Sequence, residues 1–408
     1  MRGAHLEVDV TRLGHRIAEL SAIGGTGPAI TRLGLSREEQ AARELVGGWL
    51  TARGASVRRD AAANLVARFG GDGPAILVGS HLDSVPEGGR FDGALGVLCA
   101  VEAIDALLDD GVRFRRPIEV IAWSDEEGAR FGIGLFGSCA AFGRLPENAA
   151  ARADRDGMTI ADALRSLGES GDPTRARRAD AAVSAYLELH IEQGPRLERA
   201  GVPLAVVSAI VGIFHGRVTV RGRQDHAGAT VMGERKDALV AAAEMVVAVE
   251  RIARAVPDAV GTVGELVPKP GAKNVIPGEV SFSLDIRAPR EDDLERILRE
   301  LRAEMRRIGD ARGVTSSVDV LARVPVAPLD LPLRELLLRS VKAVGVEAPL
   351  LVSGAGHDAQ NPQLAGIPTG MIFVRSTGGS HTPIESCDVA DAALGAEALA
   401  GALRELAA

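Results

Sequence analysis

The chain has 408 residues, 46% of them hydrophobic and 25% charged, with a formal net charge of −8. Its length exceeds one ordinary core, so two domains are expected, and the balance excludes a disordered or fibrous protein. The negative charge argues against a nucleic-acid or anionic-membrane surface; the lysines are only Lys236, Lys269, Lys273 and Lys342, and no long run of one sign occurs.

The opening MRGAHLEVDV lacks a basic start followed by an apolar core, so no signal peptide is expected. His5 and His15, near this end, are expected to be solvated. A helix is expected over 37–53, with Ser36 and Glu39 as a capping box and Gly54 closing it. Short strands follow at 64–69 and 75–80, the second apolar enough to be buried on both faces. Leu95, Leu98, Val101 or Glu102, and Ile104 to Leu108 recur at helical spacing, which starts a helix just after FDG at 91–93. IEVIAWS at 118–124 reads as another buried strand running into DEEG, with Trp123 in the core. The stretch 151–170 reads as a surface helix pair without chemistry.

From about 210 to 321 the character changes. HGRVTVRG at 215–222 and EVSFSLDIR at 279–287 alternate; in the latter Val280, Phe282, Leu284 and Ile286 share one face. AAAEMVVAVE at 241–250 is too short and too acidic to span a membrane. The middle therefore predicts a smaller α+β unit with a half-exposed antiparallel sheet. Strand 367–376 and a final helix at about 389–406 return to the first pattern. The expected organisation is a domain over 1–209 and 324–408 interrupted by a second over 210–323. The fold class is α/β, a central mixed sheet flanked by helices. Cys99, Cys139 and Cys387 are sparse and lack metal-type spacing, which suits a reducing, cytoplasmic compartment.

Three clusters follow the C-terminal ends of buried strands, where α/β sheets place their sites. GSHLDSVPEGGRFDG (79–93) carries His81, Asp83 and Asp92, WSDEEG (123–128) carries Glu126 and Glu127, and GGSHTP (378–383) carries His381. LELHIEQGP (187–195) adds His190, Glu192 and Gln193. A single histidine at a strand end is more often structural than a ligand, and adjacent acids are commonly a solvated turn. Four such groups shift the balance, because buried His, Asp and Glu need compensating charge, which divalent cations supply. Imidazole and carboxylate donors suit zinc, and also manganese, cobalt or nickel. Metal-assisted hydrolysis needs an ion to lower the pKa of water to about 7 and a separate carboxylate to move the proton. Adjacent Glu126 and Glu127 can divide those tasks.

The order H-x-D, FDG, DEEG, HIEQGP, GRQDHAGAT, KNVIPG, SFSLDIR, SGAGHDA and GGSHTP resembles the family of N-carbamoyl-L-amino-acid hydrolases, β-ureidopropionases and allantoate amidohydrolases. These form the amidase branch of the dinuclear zinc peptidase superfamily, and the match runs over nearly the whole chain. The resemblance implies that His81 and His190 hold one metal, Glu127 and His381 the other, and that Asp92 bridges them. Glu126 is then the general base and Asp83 orients His81. His190 stands where peptidase relatives usually carry Asp, which points to the amidases. The inserted unit is implied to act as a lid and to form a homodimer. His226 is implied to stabilise the oxyanion, Asn274 and Arg287 to clamp a substrate carboxylate, and Gln193, Gly356 and His357 to contact the ureido end. For Arg287 a guanidinium on the polar face of its strand suits a carboxylate, while a surface ion pair with Asp285 is the plainer reading. His215 fits none of the motifs and reads as structural. Val231 stands where the family commonly has proline after DHAG and threonine.

The expected activity is hydrolysis of a linear C–N bond in a small N-carbamoyl or ureido carboxylate by a metal-activated water, with no nucleic-acid or membrane partner. The alternatives are a dipeptidase or N-acyl-amino-acid deacylase of the same superfamily, or an inactive metal-binding protein.

Overall fold

A computed structural model describes residues 6–407, so His5 lies outside the described residues. The chain divides into two compact units. One comprises 1–208, 328–351 and 356–408, the other 209–327 and 352–355.

The larger unit is built on a mixed sheet. Strands Thr369–Val374, Val183–Ile191, Ala75–His81 and Ile118–Trp123 lie side by side in that order and run parallel. Leu65–Phe69 and then Ser56–Arg59 extend the sheet antiparallel beyond Ile118–Trp123, and Leu204–Ile210 does so beyond Thr369–Val374. Ala75–His81, Ile118–Trp123 and Thr369–Val374 are buried at every position, which is why they read as continuous apolar runs. Helix Ala94–Asp109 crosses between two of these strands and is buried along nearly its whole length; it packs on the C-terminal helix Val389–Ala407. Trp123 is in the core, donating its ring N–H to the Tyr186 hydroxyl.

The expected helix over 37–53 is present as Arg37–Ala52. Ser36 accepts from Glu39 N as a cap should, but the Glu39 carboxylate does not return to Ser36. It accepts from Leu35 N instead, so the capping box is only half formed. The stretch 151–170 differs from expectation: it contains one seven-residue helix, Ile160–Ser166, after a 3₁₀ turn at Ala149–Ala151. Ile160, Ala163 and Leu164 are buried in a satellite core with Phe131 and Phe136, so tertiary packing rather than a surface helix pair organises it. His15 is exposed.

The smaller unit is an antiparallel sheet backed by two helices. Its strands run in the order Val260–Thr262, Glu279–Ala288, Gly212–Arg221, Thr315–Val324, with Leu266–Lys269 also on Glu279–Ala288. Val280, Phe282, Leu284 and Ile286 are buried against helices Ala238–Arg254 and Glu291–Arg312, as the alternation predicts. Asp237 caps the first helix through Leu239 N and Val240 N. No helix among the described residues is long and apolar enough to cross a membrane.

Candidate metal centre

Parallel pairing brings strand ends from distant parts of the sequence together. His81 closes Ala75–His81, and His190 lies next to the end of Val183–Ile191. Asp92 sits in the turn before Ala94–Asp109, Glu126 and Glu127 follow Ile118–Trp123, and His381 follows Thr369–Val374. His81, Asp92 and His190 are buried.

Asp92 is the hub. Its Oδ1 lies 3.2 Å from His190 Nε2 and 3.8 Å from His81 Nε2, and its Oδ2 lies 3.4 Å from His381 Nε2. His381 Nε2 is also 3.3 Å from Glu127 Oε2. Two groups result, His81–Asp92–His190 and Asp92–Glu127–His381, each with ligand atoms within 4.8 Å of one another. Gly93 makes the first possible: its φ is +62°, and a Cβ there would stand 2.2 Å from the His81 ring.

The histidine rings are turned for ligation. His190 Nδ1 lies 2.9 Å from the Ile191 carbonyl, which can only accept, so Nδ1 carries a proton and Nε2 is the nitrogen left to face a metal. His81 Nδ1 faces the Asp83 carbonyl at 3.2 Å and its carboxylate at 3.3 Å, with the same consequence. Metal-ligating histidines are oriented in this way. Asp83 does more than sequence suggests, since its two oxygens also accept from Glu126 N and Glu127 N, both at 3.0 Å. Glu126 Oε2 lies 3.7 Å from His81 Nε2.

The electrostatics show a cluster short of positive charge. Burial pushes Glu126 well above the usual carboxylate range, with Glu127 and Asp358 adding to it. Burial and then Asp92 push Glu127 up to about 7. The hydrogen bond to Asp92 lifts His381 to about 9. Burial alone would lower His81, but Glu126 and Asp83 outweigh it and raise the ring well above its ordinary value. Acids that gain protons beside histidines that keep theirs mark negative charge without a counter-ion. Glu127 Oε1 is moreover buried without a hydrogen-bond partner. This nitrogen and oxygen donor set fits a pair of divalent cations.

Two supporting residues escaped the sequence reading. Glu385 accepts from Phe91 N at 3.0 Å and Asp92 N at 3.1 Å, and Ser380 donates its hydroxyl to Asp92 Oδ2. Both lie within four residues of His381, and that proximity was the one signal available. Gln193, with φ +61°, donates to Asp92 Oδ2 at 2.8 Å. His357, next to Gly356, is buried with its ring centroid 4.5 Å from that of His190; burial and then His190 hold it well below its ordinary value.

The remaining candidates lie in the smaller unit. His226 and Asn274 meet there, because Asp225–His226 pairs with Val275–Ile276 and Ala227 N donates to the Asn274 carbonyl. His226 Nδ1 accepts from Gly228 N and Ala229 N at 3.0 and 3.1 Å, which leaves Nε2 for the proton. Arg287 forms the ion pair weighed above, with Nε and Nη2 on the two oxygens of Asp285 at 3.1 and 3.0 Å, and Nη1 donates to the Gly354 carbonyl. His215 Nε2 is 3.4 Å from the same carboxylate. Val231 has φ −62°, the value a proline would impose, and Arg235 holds the loop by donating to Ala227 O and Thr230 O.

A mixed α/β sheet with a polar, metal-ready cluster at the ends of its parallel strands defines a metallohydrolase class. The chain belongs to peptidase family M20/M25/M40, whose model matches residues 77–405. It is similar, at 41% identity over 397 residues (95% of this chain, 96% of the relative), to an N-carbamoyl-L-amino acid amidohydrolase of Geobacillus stearothermophilus. It is 36% identical over 422 residues to the allantoate deiminase of Arabidopsis thaliana (94% and 80%). The crystal structure of an amidase of the hydantoinase/carbamoylase family from Burkholderia multivorans matches with TM-score 0.91 and 34% identity, covering 98% of both chains. The family and fold expected from the motifs are therefore those the chain has, and the protein is a hydrolase. The family is metal-dependent.

Proposed function

We propose that the chain is a two-metal amidohydrolase that removes the carbamoyl group from a small N-carbamoyl or ureido carboxylate. The observation that carries this reading is the convergence of His81, Asp92, Glu127, His190 and His381 on one shared carboxylate, with Glu126 beside them. His81, Asp92 and His190 would hold one cation and Asp92, Glu127 and His381 the other, with zinc the first candidate. The pair supplies charge that brings the pKa of water to about 7 and polarises a carbonyl.

The chain's own groups move the protons. Glu126, beside His81 in the cluster, takes a proton from the attacking water and returns it to the leaving nitrogen. Asp83 keeps Glu126 and Glu127 in place through their amides and keeps His81 turned to the cluster. For an N-carbamoyl amino acid, one water cleaves the carbamoyl group and the products are ammonia, carbon dioxide and the free amino acid. His226 is proposed as the oxyanion donor, since its Nδ1 is occupied as an acceptor and Nε2 carries the proton. Arg287 and Asn274 are proposed to receive the substrate carboxylate, and Gln193, Gly356 and His357 its ureido end. The names of the relatives support a carbamoyl or ureido substrate.

The smaller unit is proposed as lid and dimerisation domain. In support, Thr315–Val324 ends the order of its sheet and exposes Val320 and Leu321. A cytoplasmic location is supported by three free cysteines. The deciding experiment is an ammonia-release screen of the metal-reconstituted protein on N-carbamoyl-L-amino acids, ureidopropionate and allantoate, with dipeptides and N-acyl amino acids assayed for amine release. Turnover confined to the last two would overturn the proposal.

A further inference from the structure

The turn that carries Glu126 and Glu127 is held in an unusual way. Four consecutive amides, at 124–127, each donate to a side-chain oxygen of a buried residue. Ser124 N donates to Asn64 Oδ1 at 2.9 Å, Asp125 N to Glu39 Oε1 at 3.2 Å, and Glu126 N and Glu127 N to the two oxygens of Asp83 at 3.0 Å. Asp125 sits at φ +48°, a left-handed conformation that a non-glycine residue keeps only when its surroundings impose it. Its packing leaves no slack, since a Cβ on Gly34 would stand 1.9 Å from Asp125 Oδ1.

Glu39 is the member of this set that belongs to another part of the chain's chemistry. It lies in the first turn of helix Arg37–Ala52, yet its side chain is fully buried rather than solvated. One oxygen takes Leu35 N at 2.6 Å while the other takes Asp125 N. Buried Arg43 supplies the counter-charge, with Nη1 2.7 Å from Glu39 Oε1. Arg32, also buried and held by the carbonyls of Leu20, Ile23 and Leu82, adds positive charge near both Glu39 and Asp83. Arg130, three residues past Glu127, closes the circuit by donating to the Leu35 carbonyl at 2.8 Å. Desolvation offsets much of the attraction in a buried pair of this kind, so net stability alone is a weak reason for keeping it.

We propose that Glu39, with Arg43 as its counter-ion, is a positioning residue for the proton-transfer step: it fixes the Ser124–Asp125 peptide, and so the left-handed entry to the turn from which the Glu126 carboxylate points. This rests on the reading of Glu126 as the base. Reactions with an oriented base lose about a hundredfold when the geometry slips by an ångström.

The test is steady-state kinetics on the substrate found in the ammonia-release screen, with elemental analysis of bound metal. Glu39→Ala is expected to lower kcat about a hundredfold, change KM less than threefold, and keep the wild-type metal content. Glu39→Gln, whose single amide oxygen can still accept from Asp125 N but not also from Leu35 N, and which leaves Arg43 without its counter-charge, is expected to recover part of the loss of Glu39→Ala. Val46→Ala, a cavity in the same helix, is expected to lower stability and leave kcat within twofold. If Glu39→Ala does not fold, Glu39→Asp, which keeps the charge but shortens the reach, should still lose kcat tenfold or more. The inference is overturned if Glu39→Ala and Glu39→Asp stay within threefold of wild type, if Glu39→Gln is no faster than Glu39→Ala, or if Val46→Ala shows the same loss. Glu126→Gln, run alongside, separates the two levels. An active Glu126→Gln overturns the base assignment and this inference together, whereas an inactive one beside a normal Glu39→Ala overturns only the inference.

Discussion

The two units hold their candidate residues by opposite means. In the larger one, the central acids are tied to groups far away in sequence: Asp92 receives Gln193 and Ser380 and is backed by Glu385, and Asp83 receives Glu126 and Glu127. In the smaller one, His226 is held by Gly228 and Ala229, and Arg287 chiefly by Asp285, two residues away. The first arrangement has His81, Asp92 and His190 buried and cross-braced, with His381 at its open side, so the geometry of its core is set by folding and costs nothing when substrate binds. The second is local and partly exposed, with the Arg287 side chain 29% accessible, so its groups can exchange a protein partner for a ligand. Bracing suits chemistry and exposure suits recognition. The difference predicts that damage to the braced acids of the first unit appears in kcat and loss of Arg287 in the second in KM.

The sharpest way to break that contrast is Glu126→Gln, which should cut kcat by about 10³ while two metals remain bound, checked by ammonia release and elemental analysis. Near-wild-type turnover would remove the base from the braced cluster. Next, stripping the cations with a chelator should abolish turnover and lower the thermal midpoint, and adding zinc back should restore both. The sign follows from linkage, because a ligand bound only by the folded state stabilises it. A midpoint unchanged by chelation would contradict a site built around cations. Arg287→Ala should raise KM by about ten- to hundredfold with kcat changed less, the loss of one charge-assisted contact in an exposed setting. A loss confined to kcat would erase the division between the units.

Two smaller effects sharpen it further. Burial pushes the Cys139 thiol, next to Asn361, from 9.0 up to about 11. That leaves about a hundredfold less thiolate at pH 8 than in the unfolded chain, and labelling should quicken as pH rises towards 11. The same shift makes the folded state lose stability over that window, since the unfolded thiol ionises first. Thiol labelling of native against urea-unfolded protein checks both. Last, Val231→Pro should leave activity within twofold and add about 0.4–1 kcal/mol of stability, because φ already suits proline. A collapse of activity would show that the 226–231 loop relies on a backbone freedom proline removes.

Much of this protein is legible along the chain. Continuous apolar runs located the central strands, and the period-two alternation in 279–287 placed Val280, Phe282, Leu284 and Ile286 on the buried face. The Asp285–Arg287 pair could be weighed from sequence because residues two apart on a strand share a face. The histidines and acids at strand ends marked the cluster, because such groups rarely end buried strands without a partner. The failures were of one kind. The half-formed capping box at Ser36 and the satellite core under 160–164 were misread because local rules do not see the fold: the Glu39 carboxylate turns inward to Leu35 N and distant Asp125 N, and 160–164 packs on Phe131 and Phe136.

What sequence determined by itself was the inventory: which strands are buried, which residues can ligate, and which family pattern they follow. What only the tertiary structure decided was who braces whom. Glu385 reaching Asp92 N and Glu39 reaching Asp125 N span 293 and 86 residues, and no local periodicity encodes such pairings. They exist because a buried carboxylate must find donors wherever the packed chain offers them, and that is settled only when the whole sheet has closed around it.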